Sequence, residues 1–374
     1  MSSTDSITLT PSSVTTDSDF PVGAVLRPLD DTQALDWLTI GHYLQQHGLH
    51  LDAHAAPRQF VGGLANLNYL LRVNGEWTVL RRPPSGPLPP GANDMRREHR
   101  ILSRLSQGFA LAPRSYHLCE DPGIAGAPFQ LIEYRAGVAV RGDRLDPLPE
   151  NEGVGVHLSL MMIEALAALH AVDADAVGLG DLGRPDGFFR RTTEGWIKRC
   201  ELISEGVPSA SARESMRWLR EVADPVPMAP VLLHNDFKLD NILLDRQSQA
   251  PVAIVDWDMG TRGEALFDLA TLLSYWSEPG DPAGMQNLRQ MPTARPGFFS
   301  REQVAQGYAQ ATGRSIDGLK PYRVLTQFKL AVVFQQLYQR YRSGETQDPR
   351  YAHFGHLADE LHEFTLDLIT NKIF

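Results

Sequence analysis

The sequence predicts an α+β protein of bilobal form, a small β-rich N-lobe followed by a larger, mostly helical C-lobe. Three observations carry this. Two β-prone runs joined by Asn74-Gly75 stand early, in LNYLLRVNGEWTVLRR (67–82). Helical patterns dominate from about residue 153 onward. Inside that helical stretch one short β patch (231–258) sets a dense group of polar residues between apolar runs. Strands followed by helices make an α+β order, and the cleft between two such lobes is a usual position for a ligand.

Composition bounds the rest. The 374 residues, 43% hydrophobic and 21% charged, fit an ordinary globular protein of one large domain or two lobes. The start, MSSTDSITLTPSSVTTDSDF, has neither the basic region nor the apolar core of a secretory leader, and its Ser, Thr and Asp content predicts a disordered tail over 1–24. No run of about 18 apolar residues predicts a membrane span. Cys119 and Cys200 are the only cysteines, too few for a disulfide framework or a zinc site, which fits a cytoplasmic protein. A formal charge of −10 argues against nucleic acid as a partner, because phosphate contacts require basic surfaces.

The N-lobe is read over 25–136. If Asn74-Gly75 forms the turn, Val73 pairs with Glu76, Leu70 with Val79 and Asn68 with Arg81, and the last four residues share a face. After a Pro/Gly-rich loop (83–91), a helix is expected over 94–106 with Met95, Glu98, Leu102 and Leu105 on one stripe. Glu98 is thus an acid on an inward face and needs a partner there. PFQLIEY (128–134) reads as a strand leading to the boundary at Gly137, and the C-lobe runs over 137–374. Helices are expected at about 153–172, 188–204 and 211–223, and again from 264.

The chemistry concentrates in VLLHNDFKLDNILLD (231–245) and VAIVDWD (252–258). His234, Asn235 and Asp236 close one short strand, Asn241 opens the next, and Asp256 and Asp258 end a third apolar run. A possible base, an amide oxygen and one or two carboxylates are the groups that magnesium-dependent phosphoryl transfer requires. Three separate turn residues would be the plain alternative for Asp236, Asn241 and Asp256, but their shared placement after apolar runs favours one site.

HNDFKLDN followed by IVDWD resembles the signature of the aminoglycoside phosphotransferase and choline kinase-like family, a branch of the protein-kinase-like fold. The likeness runs from about Gln59 to the C-terminal helices. VGGLANLNYLL, VLRRPPSG, MRREHRIL and DWDMGTRGEALFDLATLL look most like the kinase-like domain fused to some acyl-CoA dehydrogenases. The resemblance implies Asp236 as the catalytic carboxylate, Lys238 as a phosphate-contacting cation, and Asn241 and Asp256 as ligands of Mg2+ against ATP. It also implies that His234 supports the loop and that Asp268 braces it from a helix. Asp240 reads as a turn group, and Asp258 either joins the metal or bonds within the loop.

On the phosphate side, Gly62 and Gly63 would let backbone approach an anion and Asn66 could donate to it; a plain Gly-Gly turn is the alternative. Arg81 stands where the wider kinase pattern has lysine, and it is expected to pair with Glu98. Arg82 faces the other way and reads as a solvated charge. Val79 could pack on the base, or simply on the core. By resemblance, the connector would meet adenine through backbone near Glu133 and Arg135.

The acceptor is read as a small hydroxylated molecule. Arg323, Lys329, Arg340 and Arg342 on a late helix without acids favour an anionic one, and Arg190, Arg191, Trp196 and Lys198 form a second basic and aromatic segment. The plain alternatives are an ordinary cationic helix end for the first and a solvated amphipathic helix for the second. The resemblance implies a hydroxyacyl acceptor such as a hydroxyacyl-CoA. A non-catalytic nucleotide-binding regulatory module, a kinase for aminoglycosides or another metabolite, and a metal hydrolase built on His234, Asp236, Asp256 and Asp258 stay open.

Overall fold

The computed structural model describes residues 20, 21, 23–52, 54–61, 66–84 and 93–370. Helix α1 (Trp37–Gln46) precedes strands β1 (Arg58–Gln59), β2 (Leu67–Val73) and β3 (Glu76–Arg82). Helix α2 (Met95–Leu105), β4 (Ser115–Cys119), the short α3 (Pro122–Ala125) and β5 (Phe129–Glu133) complete an antiparallel sheet of order β1-β2-β3-β5-β4. Asn74 and Gly75 both take positive φ, 52° and 84°, the backbone a two-residue hairpin turn demands. The register is the expected one, with Asn68 opposite Arg81 and Leu70 opposite Val79.

The sheet separates two hydrophobic cores. Tyr69, Leu71, Leu80, Phe129 and Leu131 face Ile40 and Leu44 of α1 in a small core. Ile132 joins Ile101, Leu102 and Leu105 of α2 in the large core, with Val79 half-buried against it. Arg82 does lie on the opposite face from Arg81, but it is only 1% exposed, so the expectation of a solvated charge fails. That face is closed by the small core and the turn after α3, where the Arg82 guanidinium donates to the Ala125 carbonyl and its Nε to that of Pro83. A strand's alternation tells which face a residue takes, not whether water reaches it. Of the tail expected over 1–24, residues 1–19 and 22 lie outside the described residues; the Phe20 ring stands 5.8 Å from that of Trp77.

Beyond β6 (Val138–Ala139) the chain is mostly helical, with α4 (Glu152–His170), α5 (Phe188–Ile203) and α6 (Ala210–Glu221) falling where periodicity placed them. Strands β7 (Val231–Leu233) and β10 (Thr261–Gly263) pair with each other, while β8 (Ile242–Leu244) and β9 (Pro251–Ile254) extend from β6. Helices α7 (Ala265–Tyr275), α8 (Ala283–Leu288), α9 (Arg301–Thr312), α10 (Leu319–Arg342) and α11 (Phe354–Thr370) follow. By length and composition α4 could cross a membrane, yet Leu158, Met162, Leu166 and Leu169 are fully buried among the other helices. Every residue of α7 is buried, which makes that helix the central post of this region. Cys119 and Cys200 are buried free thiols, one in each core.

His362 of α11 is a sensitive point in this packing. It is 1% exposed, lies 5.4 Å from the Phe328 ring, and neither ring nitrogen has a hydrogen-bond partner. Burial alone holds its pKa at about 4, below the usual imidazole value. The unfolded chain therefore takes up a proton first on acidification. Stability from this site is intact above about pH 6.5 and declines by up to about 3 kcal/mol as the pH falls toward 4. Chemical denaturation between pH 7 and 4 should show this slope, and His362→Leu should flatten it.

Candidate active site

The segment between β7 and β8 is shaped by one buried carboxylate. Asp268, in the first turn of α7, accepts the backbone N–H of His234 at 2.6 Å and of Asn235 at 2.7 Å. These amides would otherwise be unpaired at the end of a three-residue strand. Asn235 takes φ 65°, its side chain donates to the Met259 carbonyl at 2.7 Å, and its own carbonyl accepts Lys329 Nζ at 2.7 Å. His234 closes the loop from beneath: Nε2 donates to the Val255 carbonyl at 2.9 Å and Nδ1 accepts the Asp236 N–H at 3.3 Å. With both ring nitrogens engaged inside the protein, His234 has no free atom for proton or metal chemistry.

Asp236 emerges from this frame with its carboxylate held on both oxygens. Tyr275 Oη donates to Oδ1 at 2.8 Å. Asn241 Nδ2 donates to Oδ2 at 3.0 Å and to the Asp236 carbonyl at 2.9 Å, and Lys238 Nζ stands 3.2 Å from Oδ2. Burial pushes the carboxyl pKa up, but Lys238, Lys329 and the Tyr275 hydrogen bond outweigh it and hold the group below the usual range. Burial likewise opposes the charge of Lys238, and the Asp236 carboxylate overrides it, raising the ammonium pKa. The pair is an ionised carboxylate and an ammonium at neutral pH.

Asp256 follows β9 at φ 68°, an uncommon backbone state for aspartate. Its carboxylate is met by the Arg81 guanidinium, whose Nε also donates to Glu98 Oε2 at 2.8 Å. Glu98 further accepts Gln130 Nε2 at 2.7 Å and the Trp257 N–H at 3.2 Å. Sheet, α2 and the segment after β9 thus meet on one buried cation. Asp258 lies close by, and burial together with the Asp256 and Glu98 charges pushes its carboxyl up to about 7. Three carboxylates around one guanidinium leave negative charge in excess, and Asn241 and Asp256 offer hard oxygen donors, a setting that fits a magnesium ion. Among the described residues no three His, Cys, Asp or Glu side chains converge as a metal cage, so most ligands of such an ion would come from phosphates and water.

Other expected site residues divide. Gly62 and Gly63 lie outside the described residues. Asn66 is 3% exposed; its Oδ1 accepts from Asn93 at 2.8 Å and its Nδ2 has no partner. Glu133 and Arg135 pair with each other at 2.8 Å, and Glu133 also accepts the Arg114 N–H at 3.0 Å. Asp240 pairs with Arg141 at 2.9 Å.

The acceptor residues are where the sequence reading needs most correction. Arg190 is held by Asp224 at 2.9 Å and by the carbonyls of Leu219, Arg220 and Val222 at the end of α6, so it caps a helix instead of facing an acceptor. Arg340 pairs with Glu345 at 3.4 Å and lies about 16 Å of helix beyond Lys329. Arg323 is fully buried. Trp196 is buried, with Arg199 4.6 Å and Lys329 6.0 Å from its ring. Of the late-helix cations named from sequence, Lys329 is the one seen bonded to the Asp236 loop. Sequence reasoning missed Tyr275 and Gln130. Tyr275 was legible as the residue two helical turns after Asp268, on the same face of α7.

Comparisons with known proteins agree with this geometry. A sequence model described as the phosphotransferase enzyme family matches residues 57–322. The chain is 27% identical over 351 residues to mouse acyl-CoA dehydrogenase family member 10, covering 93% of this chain and 32% of that protein. It is 29% identical over 319 residues to chicken acyl-CoA dehydrogenase family member 11, covering 83% and 40%. The chain therefore spans about a third to two fifths of the length of these relatives. Among solved structures, a Ralstonia eutropha protein put forward as an aminoglycoside phosphotransferase has TM-score 0.70 at 24% identity, covering 89% of this chain and 99% of that one. Aminoglycoside phosphotransferase APH(4)-Ia, in complex with AMP-PNP and hygromycin B, has TM-score 0.59 at 16% identity over 89% and 100%.

The geometry separates two variants. Arg190→Ala should lower stability by about 1–3 kcal/mol through the lost helix-end bonds while leaving nucleotide affinity unchanged. Asp268→Asn has one oxygen for two buried amides, so it should cost stability and loosen the Asp236 loop together. Thermal melts alongside nucleotide titration check both.

Proposed function

The chain belongs to the phosphotransferase enzyme family, and from that premise we propose that it is an ATP- and Mg2+-dependent kinase. It would transfer the γ-phosphate to the hydroxyl of a small, anionic acceptor such as a hydroxyacyl-CoA or hydroxy acid. The observation that carries the reading is the Asp236 carboxylate, ionised and held beside Lys238 at 3.2 Å and Asn241 at 3.0 Å.

Each group then has a task. Asp236 accepts the hydrogen bond of the acceptor hydroxyl and aims its oxygen in line with the γ-phosphate. Lys238 offsets charge on the phosphoryl oxygens as they move. Arg81, anchored by Glu98, meets the nucleotide phosphates from the sheet side, with Asn66 near the glycine segment and backbone around Glu133 and Arg135 receiving the base. Asn241 and Asp256 would hold the Mg2+ ion, which when bound neutralises phosphate charge and orients it for attack. Lys238, Lys329 and Arg199 place positive charge around Trp196 and the Asp236 loop. Such a wall repels a polycationic aminoglycoside and attracts an anion. The acyl-CoA dehydrogenase names of the relatives accord with an acyl acceptor. A reducing, cytoplasmic setting accords with two free thiols.

ADP release from MgATP, measured with panels of hydroxyacyl-CoAs, hydroxy acids and aminoglycosides, tests the proposal. The expected outcome is release that depends on a hydroxyacyl or hydroxy-acid acceptor and falls about a thousandfold in Asp236→Ala. Tight MgATP binding with no turnover on any acceptor would establish a nucleotide-binding regulatory module instead.

A further inference from the structure

We propose that Tyr275 is a positioning residue for the phosphoryl transfer, fixing which oxygen of Asp236 receives the acceptor hydroxyl; this rests on the function proposed above. A carboxylate has about four lone-pair sites. On Oδ2, Asn241 Nδ2 donates at 3.0 Å and the Lys238 ammonium stands 3.2 Å away as an ion pair, so that oxygen is already engaged from two sides. On Oδ1, Tyr275 Oη at 2.8 Å takes one. A single lone pair of Oδ1 is left for the substrate, and the tyrosine hydroxyl determines its direction.

The same side chain orders the neighbouring cation. Lys238 Nζ stands 4.9 Å from the centre of the Tyr275 ring, so ring and hydroxyl together seat the carboxylate and the ammonium that flank the reacting atoms. Tyr275 can do this because it ends α7, the helix whose first turn carries Asp268. Seven residues are two turns, about 10 Å along one face. Asp268 grips the start of the loop by its amides, and Tyr275 grips its functional end by the carboxylate. Tyr275 itself is 8% exposed, which keeps water from competing for the bond.

The test uses MgATP hydrolysis by the full chain, with water as acceptor, in wild type, Asp236→Asn and Tyr275→Phe. Tyr275→Phe deletes one oxygen and keeps the ring against Lys238. A lost hydrogen bond to a charged group corresponds to a fall in kcat of about 10- to 100-fold. KM for MgATP should stay within about twofold and the melting temperature should be close to wild type. Tyr275→Leu, which also removes the ring beneath Lys238, should fall at least as far. Wild-type kcat in Tyr275→Phe beside a dead Asp236→Asn would overturn the proposal and leave the kinase reading standing. A loss of kcat matched by a raised KM or a collapsed melting temperature would overturn it in favour of a structural role. Wild-type turnover that survives in Asp236→Asn would overturn both readings at once.

Discussion

A guanidinium buried between carboxylates is the interaction on which the site depends. Arg81 comes from the sheet, Glu98 from α2, the next element along the chain, and Asp256 from the segment after β9, 175 residues beyond Arg81. Removing a cation from water is costly, and only good geometry with opposite charges recovers that cost. Burial works against Arg81, yet Asp256 and Glu98 together raise its pKa above the ordinary value. Such a group gives little net stability, but it penalises any arrangement that separates sheet, α2 and loop. Its role is to make one relative placement of the two regions the acceptable one.

The second constraint is a ruler made by α7. Short strands such as β7 and β9 lead into loops whose amides need side-chain partners, and one residue in each, Asn235 after β7 and Asp256 after β9, takes positive φ. Backbone states of this kind cost on the order of 1 kcal/mol each and persist only where surrounding contacts over-determine them. Here those contacts are Asp268 on the amides, His234 on the Val255 carbonyl and Lys329 on the Asn235 carbonyl. The helix behind the loop is buried along its whole length, so it cannot shift to follow a loop that relaxes. Rigidity in the core is thereby handed to a carboxylate at the surface of the cleft.

Charge in the site is divided between two centres. Around Asp236 the partners are cations, which keep the carboxylate ionised. Around Asp256 the partners include two further acids, Glu98 and Asp258, and burial raises both. One centre is suited to handling a hydroxyl proton, the other to accepting added positive charge. On the function proposed above, a divalent ion bound with the nucleotide would supply that charge and make the two centres parts of one reaction.

The amino-acid sequence by itself determined the local pieces. Asn74-Gly75 set the hairpin and through it the pairing of Asn68 with Arg81, because a two-residue turn admits only one register. The stripe through Met95, Glu98, Leu102 and Leu105 placed an acid on the buried face of α2, and burial required a cationic partner for it. The spacing of Asp236, Asn241 and Asp256 marked the loops that form the candidate site. Only the tertiary structure decided what surrounds each charge. Arg82, Arg190 and Arg340 carry the same charge, yet one is buried under a turn, one caps α6 and one pairs at a helix end. Tyr275 gained its place at Asp236 from the rotation of α7 against a loop some forty residues earlier. Periodicity reports the face a side chain takes on its own element; what stands opposite that face depends on contacts between distant segments, and those exist only once the chain has folded.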